Sequence, residues 1–266
     1  MPYYDDGQIT IWHADARDVP LLDPVAAVVT SPPYNASVAY DHYDDVQGWD
    51  AYWSLAGDIA AVMARVLVPG GRAWVNTAVA VPHHARGAVC SGQPAKRRVM
   101  LAHGWARALV EAGLELVDEV AWCSARGAGT AWGSWQSPAA PNLRGDWESV
   151  LVACRERWGR HPPAGLERWR DGIGDWPSLC STVWSLPPAR RRGHPSPFPV
   201  ELAARCIRLS SWPGETVLDP FCGSGSTLLA ARHHGRRAIG IDVSERYCEL
   251  AAHRLSQGVF DFQGAA

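Results

Sequence analysis

The run Val217-Leu218-Asp219-Pro220-Phe221-Cys222-Gly223-Ser224-Gly225-Ser226-Thr227 constrains this chain more than any other stretch. A short apolar segment ends in an acid. A tight Gly-Ser-Gly turn follows, and then Leu228-Leu229-Ala230-Ala231 at helical spacing. The pattern reads as strand, loop, helix, with glycines that let a ligand approach the backbone. Ala238-Ile239-Gly240-Ile241-Asp242 is the next strand, and its closing acid lies 23 residues after Asp219. That is close to the spacing at which a carboxylate accepts hydrogen bonds from a ribose. The expectation is an α/β fold, a doubly wound and mostly parallel sheet.

The loop's chemistry narrows the ligand. A dinucleotide fingerprint needs a third glycine where Ser226-Thr227-Leu228 stands, and a Walker loop needs Gly-Lys-Ser/Thr, whereas the chain's one lysine is Lys96. An acid at the strand end repels phosphate but suits a cationic ammonium or sulfonium. S-adenosyl-L-methionine meets each condition, with Asp219, Pro220, Phe221, Cys222, Gly223, Ser224, Gly225, Thr227, Asp242 and Val243 as candidate contacts. A dehydrogenase is the weakest reading of this loop.

A length of 266 residues with 47% hydrophobic content suits one large domain, residues 1–266. The net charge of −2 gives no global field for nucleic acid, so any basic surface is local. Residues 121–210 hold 12 arginines against 7 acids, and 8 of the 14 tryptophans fall between Trp122 and Trp184. Arginine interleaved with aromatics suits phosphate pairing and base stacking. The general replacement of lysine by arginine weakens that inference. The seven cysteines show no C-x-x-C spacing and no Cys/His cluster, so no metal site is expected. They read as small buried residues of a reducing cytoplasm, and neither a leader nor a long apolar run is visible.

In chain order, Gln8–His13 and Val25–Thr30 read as strands, the second apolar enough to lie centrally in a parallel sheet. It runs into Ser31-Pro32-Pro33-Tyr34-Asn35, where two prolines fix a rigid turn that carries a hydroxyl and an aromatic ring. Trp49–Val66 reads as a helix closed by Val68-Pro69-Gly70-Gly71, and Arg72–Asn76 as a strand. Residues 82–98 read as loop, Val99–Ala112 as helix, Leu114–Cys123 as strand and Glu148–Cys154 as strand. Residues 124–193, otherwise irregular, are expected to be a small insertion that recognises or clamps the substrate. Pro199–Ser210 and Ser244–Leu255 read as helices.

Thr30-Ser31-Pro32-Pro33-Tyr34 resembles the S-P-P-Y catalytic motif of the β-class DNA amino-methyltransferases, and Asp219 to Gly225 resembles their cofactor loop. His194-Pro195-Ser196-Pro197-Phe198-Pro199 is similar to the segment preceding that loop. Trp132-Gly133-Ser134-Trp135 and Trp147 to Val152 are also similar to family segments. The catalytic motif precedes the cofactor loop, which is the circularly permuted order of that class. The resemblance implies a Rossmann-like methyltransferase fold and methyl transfer to an exocyclic amino group of double-stranded DNA. It favours cytosine N4 over adenine N6, since S-P-P-Y accompanies cytosine N4 more often. It also implies a cognate restriction endonuclease or an unpartnered enzyme; a homodimer sharing recognition is compatible with the short insertion.

The residue types fit that chemistry. An amino nitrogen conjugated to a base ring is a poor nucleophile, and acceptors on its N–H bonds localise the lone pair. Ser31 Oγ and the Pro32 carbonyl are candidate acceptors, held by Pro33, and Tyr34 offers a stacking face for a flipped base. No cysteine follows a proline, which disfavours cytosine C5 as target. Phe221 is expected on the adenine ring and Asp219 at the methionine ammonium. Asp15 contacts the adenine or caps a helix, and His194, Pro195 and Phe198 are further candidate cofactor contacts, with His194 positional rather than catalytic. Trp132, Trp135, Arg144, Arg190, Arg191 and Arg192 are the candidate nucleic-acid contacts. Activity on RNA, or a homologue that has lost catalysis, remains compatible with the sequence.

Overall fold

The computed structural model describes residues 1–18, 23–82, 89–90, 93–94, 98–124, 145–171, 176–189 and 193–257. Its strands are β1 (Tyr4–Asp5), β2 (Ile9–His13), β3 (Val25–Thr30), β4 (Leu67–Ala78), β5 (Val81–Pro82), β6 (Val89–Cys90), β7 (Gln93–Pro94) and β8 (Arg98–Val99). They continue with β9 (Glu115–Cys123), β10 (Trp147–Cys154), β11 (Val183–Ser185), β12 (Thr216–Asp219) and β13 (Arg237–Asp242). The helices are α1 (Trp49–Val66), α2 (Leu101–Glu111), α3 (Trp176–Leu179), α4 (Val200–Ser210), α5 (Ser226–His233) and α6 (Glu245–Ser256).

Nine strands form one sheet in the order β1-β2-β13-β12-β3-β4-β10-β9-β11. From β2 to β4 the neighbours run parallel, while β10 pairs antiparallel with both β4 and β9. Every residue of β3 is buried, as its unbroken apolar run requires of a strand covered on both faces. Alternate residues feed two cores. Val217, Val150 and Val152 join α4, α5 and α6 on one face, whereas Leu218, Leu151 and Ala153 join α1 and α2 on the other. The expected doubly wound, mostly parallel α/β sheet is therefore observed.

Two expectations need correction. Strand β4 does not start at Arg72 but directly after α1 at Leu67, carrying Pro69-Gly70-Gly71 through an irregularity in its register with β3. Gly70 has φ of +80°, and a side chain on Gly71 would lie 2.8 Å from the Val68 carbonyl. The glycines thus permit a kink inside the strand as well as a helix stop. Second, within residues 124–193 the strand expected at Glu148–Cys154 is observed as β10, buried between β4 and β9, but the stretch after it, expected to be irregular, also carries α3 and β11, which pairs with β9.

From β3 the chain crosses through α1 to β4, and from β12 it crosses through α5 to β13, on the opposite face and in the opposite direction. The carboxyl ends of β3 and β12 are therefore the point where the winding diverges, and a crevice opens there.

Candidate active site

A cavity of about 470 Å³ lies at this edge, within the usual range of small-molecule sites. Ser31, Pro32, Pro33 and Tyr34 line it from β3, and Asp15 lines it from the end of β2. Pro220, Phe221, Gly223, Asp242, Val243 and His194 complete much of the wall. The two motifs, nearly two hundred residues apart in sequence, thus meet in one pocket.

The turn at Ser31–Tyr34 is held from below by buried rings. Trp105 Nε1 on α2 donates to the Tyr52 hydroxyl (3.0 Å), and Tyr52 on α1 donates to the Pro33 carbonyl (2.8 Å). The following loop closes on Asp45, whose buried carboxylate accepts the backbone N–H groups of Asn35, Ala36 and Val38 at 2.7–2.9 Å. Asn35 and Ser37 take positive φ of 53° and 63° to point those donors inward. The loop touches the cofactor half where Ser244 Oγ donates to Asp41 Oδ2 (2.8 Å).

On the cofactor side, the Asp242 carboxylate accepts the N–H of Gly223 (2.9 Å) and of Ser244 (2.9 Å), and burial raises its pKa. Gly223 has φ of +48°, and a Cβ there would stand 2.8 Å from His194 Nε2. His194 lies edge-on to Tyr247, with ring centres 4.6 Å apart. Burial, with help from Arg254, lowers its pKa to about 4, so the imidazole is neutral.

Asp219 faces inward. It is fully buried, and its oxygens accept from Thr30 Oγ1 (2.7 Å), Thr227 Oγ1 (2.6 Å) and the Phe221 N–H (3.1 Å). The expected contact with a ligand's ammonium is thus replaced, in this structure, by a brace joining β3, the loop and α5. Thr227 belongs to that brace. Cys222 is buried behind the loop, and Ser224 accepts from Arg254 through its carbonyl and its hydroxyl. Gly225 caps α5 in the left-handed conformation, Phe198 packs on the core, and Pro195 is half-buried beside His194. Asp15 is paired bidentately with Arg17 (2.9 and 2.7 Å), which lowers its pKa.

Two residues of the site, Asn76 and Glu148, receive no role from the sequence alone. Asn76 Nδ2 donates to the Tyr34 hydroxyl (2.7 Å) and to Glu148 Oε2 (3.1 Å), and the Tyr34 hydroxyl also reaches Glu148 Oε2 (2.9 Å). Ser31 Oγ lies 3.2 Å from the Tyr34 oxygen. The register of β4 with β10 makes Asn76 and Glu148 diagonal neighbours on one face, a relation that no local spacing reveals.

Trp132, Trp135, Arg144 and Arg190 to Arg192 lie outside the described residues. Elsewhere, the arginine–tryptophan enrichment is used internally: Arg72 stacks on Trp158 (3.9 Å), Arg160 on Trp212 (4.9 Å) and Arg236 on Trp169 (5.4 Å). Among the described residues no His, Cys, Asp and Glu group could hold a metal ion, and no helix is long and apolar enough to cross a membrane.

The family model described as DNA methylase, N6/N4 type, matches residues 25–253. The chain belongs to that family. The methylase is 27% identical to the type II methyltransferase M.ScaI of Streptomyces caespitosus, over 96% of this chain and 83% of that protein. Among solved structures it resembles TTHA0409 of Thermus thermophilus, a putative DNA modification methylase complexed with S-adenosyl-L-methionine. There the TM-score is 0.72 at 28% identity, covering 95% of this chain and 96% of that one. The PvuII DNA methyltransferase (cytosine-N4-specific) shares the fold at TM-score 0.70 and 19% identity, over 95% of this chain and 88% of that one. The fold and the amino-methyltransferase family anticipated from the motifs are thus both found.

Proposed function

We propose that this methylase moves a methyl group from S-adenosyl-L-methionine to the exocyclic amino group of a base turned out of double-stranded DNA, and that the base is cytosine, methylated at N4. The observation carrying the proposal is that Ser31 to Tyr34 and the Phe221–Gly223–Asp242 loop line a single cavity. When bound, the cofactor supplies a sulfonium methyl; the amine nitrogen forms the new N–C bond as C–S breaks, the electron pair stays on sulfur, and the cationic nitrogen then releases its proton to solvent water.

The residues present fit such a ligand. Asp242 retains lone pairs for ribose hydroxyls, and Phe221 presents a ring to the adenine. The lining carries Asp15 and Asp242 with Arg17, already paired to Asp15, so its charge suits a cation better than a phosphate. Only glycine at 223 keeps His194 and the loop backbone in contact without a clash.

Toward the base, Ser31 Oγ accepts one amine N–H and concentrates the nitrogen's lone pair, while the Tyr34 ring stacks on the base. The rigid Pro32-Pro33 turn, tied to Tyr52, fixes both positions before the substrate arrives. The cytosine assignment rests on the resemblance of Ser31-Pro32-Pro33-Tyr34 to the S-P-P-Y motif.

Mass spectrometry of nucleosides from duplex DNA treated with the protein and isotopically labelled methyl donor tests the reading. Labelled N4-methyldeoxycytidine is expected. Labelled N6-methyldeoxyadenosine would overturn the cytosine assignment, and no labelled nucleoside would overturn the reaction.

A further inference from the structure

Hydrogen counting around Tyr34 yields an asymmetry. An ionised carboxylate only accepts, so the single Tyr34 hydroxyl hydrogen goes to Glu148 Oε2 at 2.9 Å. Asn76 Nδ2 has two hydrogens shared among three acceptors, the Tyr34 oxygen at 2.7 Å, Glu148 Oε2 at 3.1 Å and one lone pair of Ser31 Oγ at 3.3 Å. The Tyr34 oxygen, its own hydrogen committed, is left as an acceptor facing Ser31 Oγ at 3.2 Å. The Ser31 hydrogen therefore points at Tyr34. What Ser31 shows to the cavity is a lone pair.

We infer that Glu148 is a positioning residue that fixes the direction of the chain Ser31→Tyr34→Glu148, so that Ser31 meets an incoming amine only as an acceptor. This inference rests on the methyl-transfer reading above. Without an acceptor at 148, the Tyr34 hydrogen turns to Ser31 and the Ser31 hydrogen turns to the cavity. A donor then confronts the amine N–H and the lone pair is no longer localised. Glu148 sits on β10, outside both motifs, and reaches the turn because Asn76 on β4 is its diagonal neighbour. Burial and the adjacent Glu148 charge both raise the Tyr34 pKa, which keeps its hydroxyl protonated and able to relay direction.

The test compares single-turnover methyl transfer, donor affinity and melting temperature in Glu148→Leu, Glu148→Gln, Tyr34→Phe, the Tyr34→Phe/Glu148→Leu pair and Ser31→Ala. Loss of the acceptor in E148L should slow transfer on the order of 10²-fold, the size seen for other lost polar stabilisers, with donor affinity unmoved. E148Q should recover most of the rate, because the Asn76 donor holds the amide oxygen toward Tyr34. Y34F breaks the same chain, so the double variant should be no slower than the slower single variant. Three outcomes overturn the inference while leaving the reaction standing: E148L at wild-type rate beside a slow S31A, E148Q as slow as E148L, or additive losses in the double variant. S31A at wild-type rate would instead overturn the acceptor role of Ser31, and no transfer by the unaltered protein would overturn the methyl-transfer reading itself. If E148L fails to fold, Y34F decides: a wild-type rate there refutes the inference, and a slow rate recovered by no change in donor concentration supports it.

Discussion

Asp219 stands where an acid ending a strand beside a glycine loop reads as a ligand contact, yet its three hydrogen bonds all remain within the protein. The difference between carboxylate and amide is small here, because Thr227 Oγ1 has a second acceptor in the Val29 carbonyl at 3.3 Å and can turn to it. Asp219→Asn should therefore cost about 1 kcal/mol or less. Asp219→Ala leaves the Thr30 hydroxyl and the Phe221 N–H without their acceptor and should cost about 2 kcal/mol or more, read from urea unfolding. Equal losses in both variants would refute the brace. Single residues were legible in the sequence to the extent that their neighbours in the chain define them: Gly223, Phe221 and Ser31 to Tyr34 all reach the cavity. Asn76 and Glu148 were not, because their partnership is made by strand pairing across about seventy residues.

At the scale of elements, the catalytic turn depends on how closely α1 and α2 pack. Gly104 on α2 faces Trp53 on α1 so tightly that an added Cβ would stand 2.1 Å from the indole. That indole is itself stacked on Trp49, with centroids 6.1 Å apart, so displacing it disturbs the stack. Gly104→Ala should cost about 1–3 kcal/mol in a thermal melt, as overpacking does. It should also slow methyl transfer, since the next residue, Trp105, holds the Tyr52–Pro33 bond. An unchanged melting point would show the helices free to separate. Long amphipathic and fully apolar runs such as α1, α4, α6 and β3 announced themselves in the sequence. Three-residue β11 did not, because only its pairing with β9 and the burial of Trp184 make it a strand. The same lack of a local signal makes the stretch after β10 read as irregular.

For the whole molecule, buried ionisable groups of opposite sign set the response to acid. His194 and His234 are held neutral by burial, each with its pKa lowered to about 4. Their contribution is present above the ordinary histidine pKa of about 6.5 and is lost as pH falls toward 4, because the unfolded chain takes up protons first. Asp219, raised to about 6 by burial, works the other way: its contribution is full below about 3.8 and is lost as pH rises through 6. Asp242, also raised by burial, acts in the same direction as Asp219, so the histidine share is read by removing one imidazole. His194→Gln should lose less stability on acidification than the unaltered protein, as measured by urea midpoints at pH 7 and pH 4.5. Parallel losses in both proteins would mean that His194 is not held neutral in the fold.

Strand β3 pairs with β12, yet 185 residues separate the end of one from the start of the other. A ribosome adding roughly 5–20 residues per second needs on the order of ten to forty seconds to cover that interval. Throughout it, the nascent chain carries β3 with one flank unsatisfied, an apolar edge of the kind that invites aggregation. Chaperone demand during translation, and the fate of prematurely terminated chains, should therefore follow the arrival of Thr216–Asp219 rather than the completion of the Ser31–Tyr34 turn.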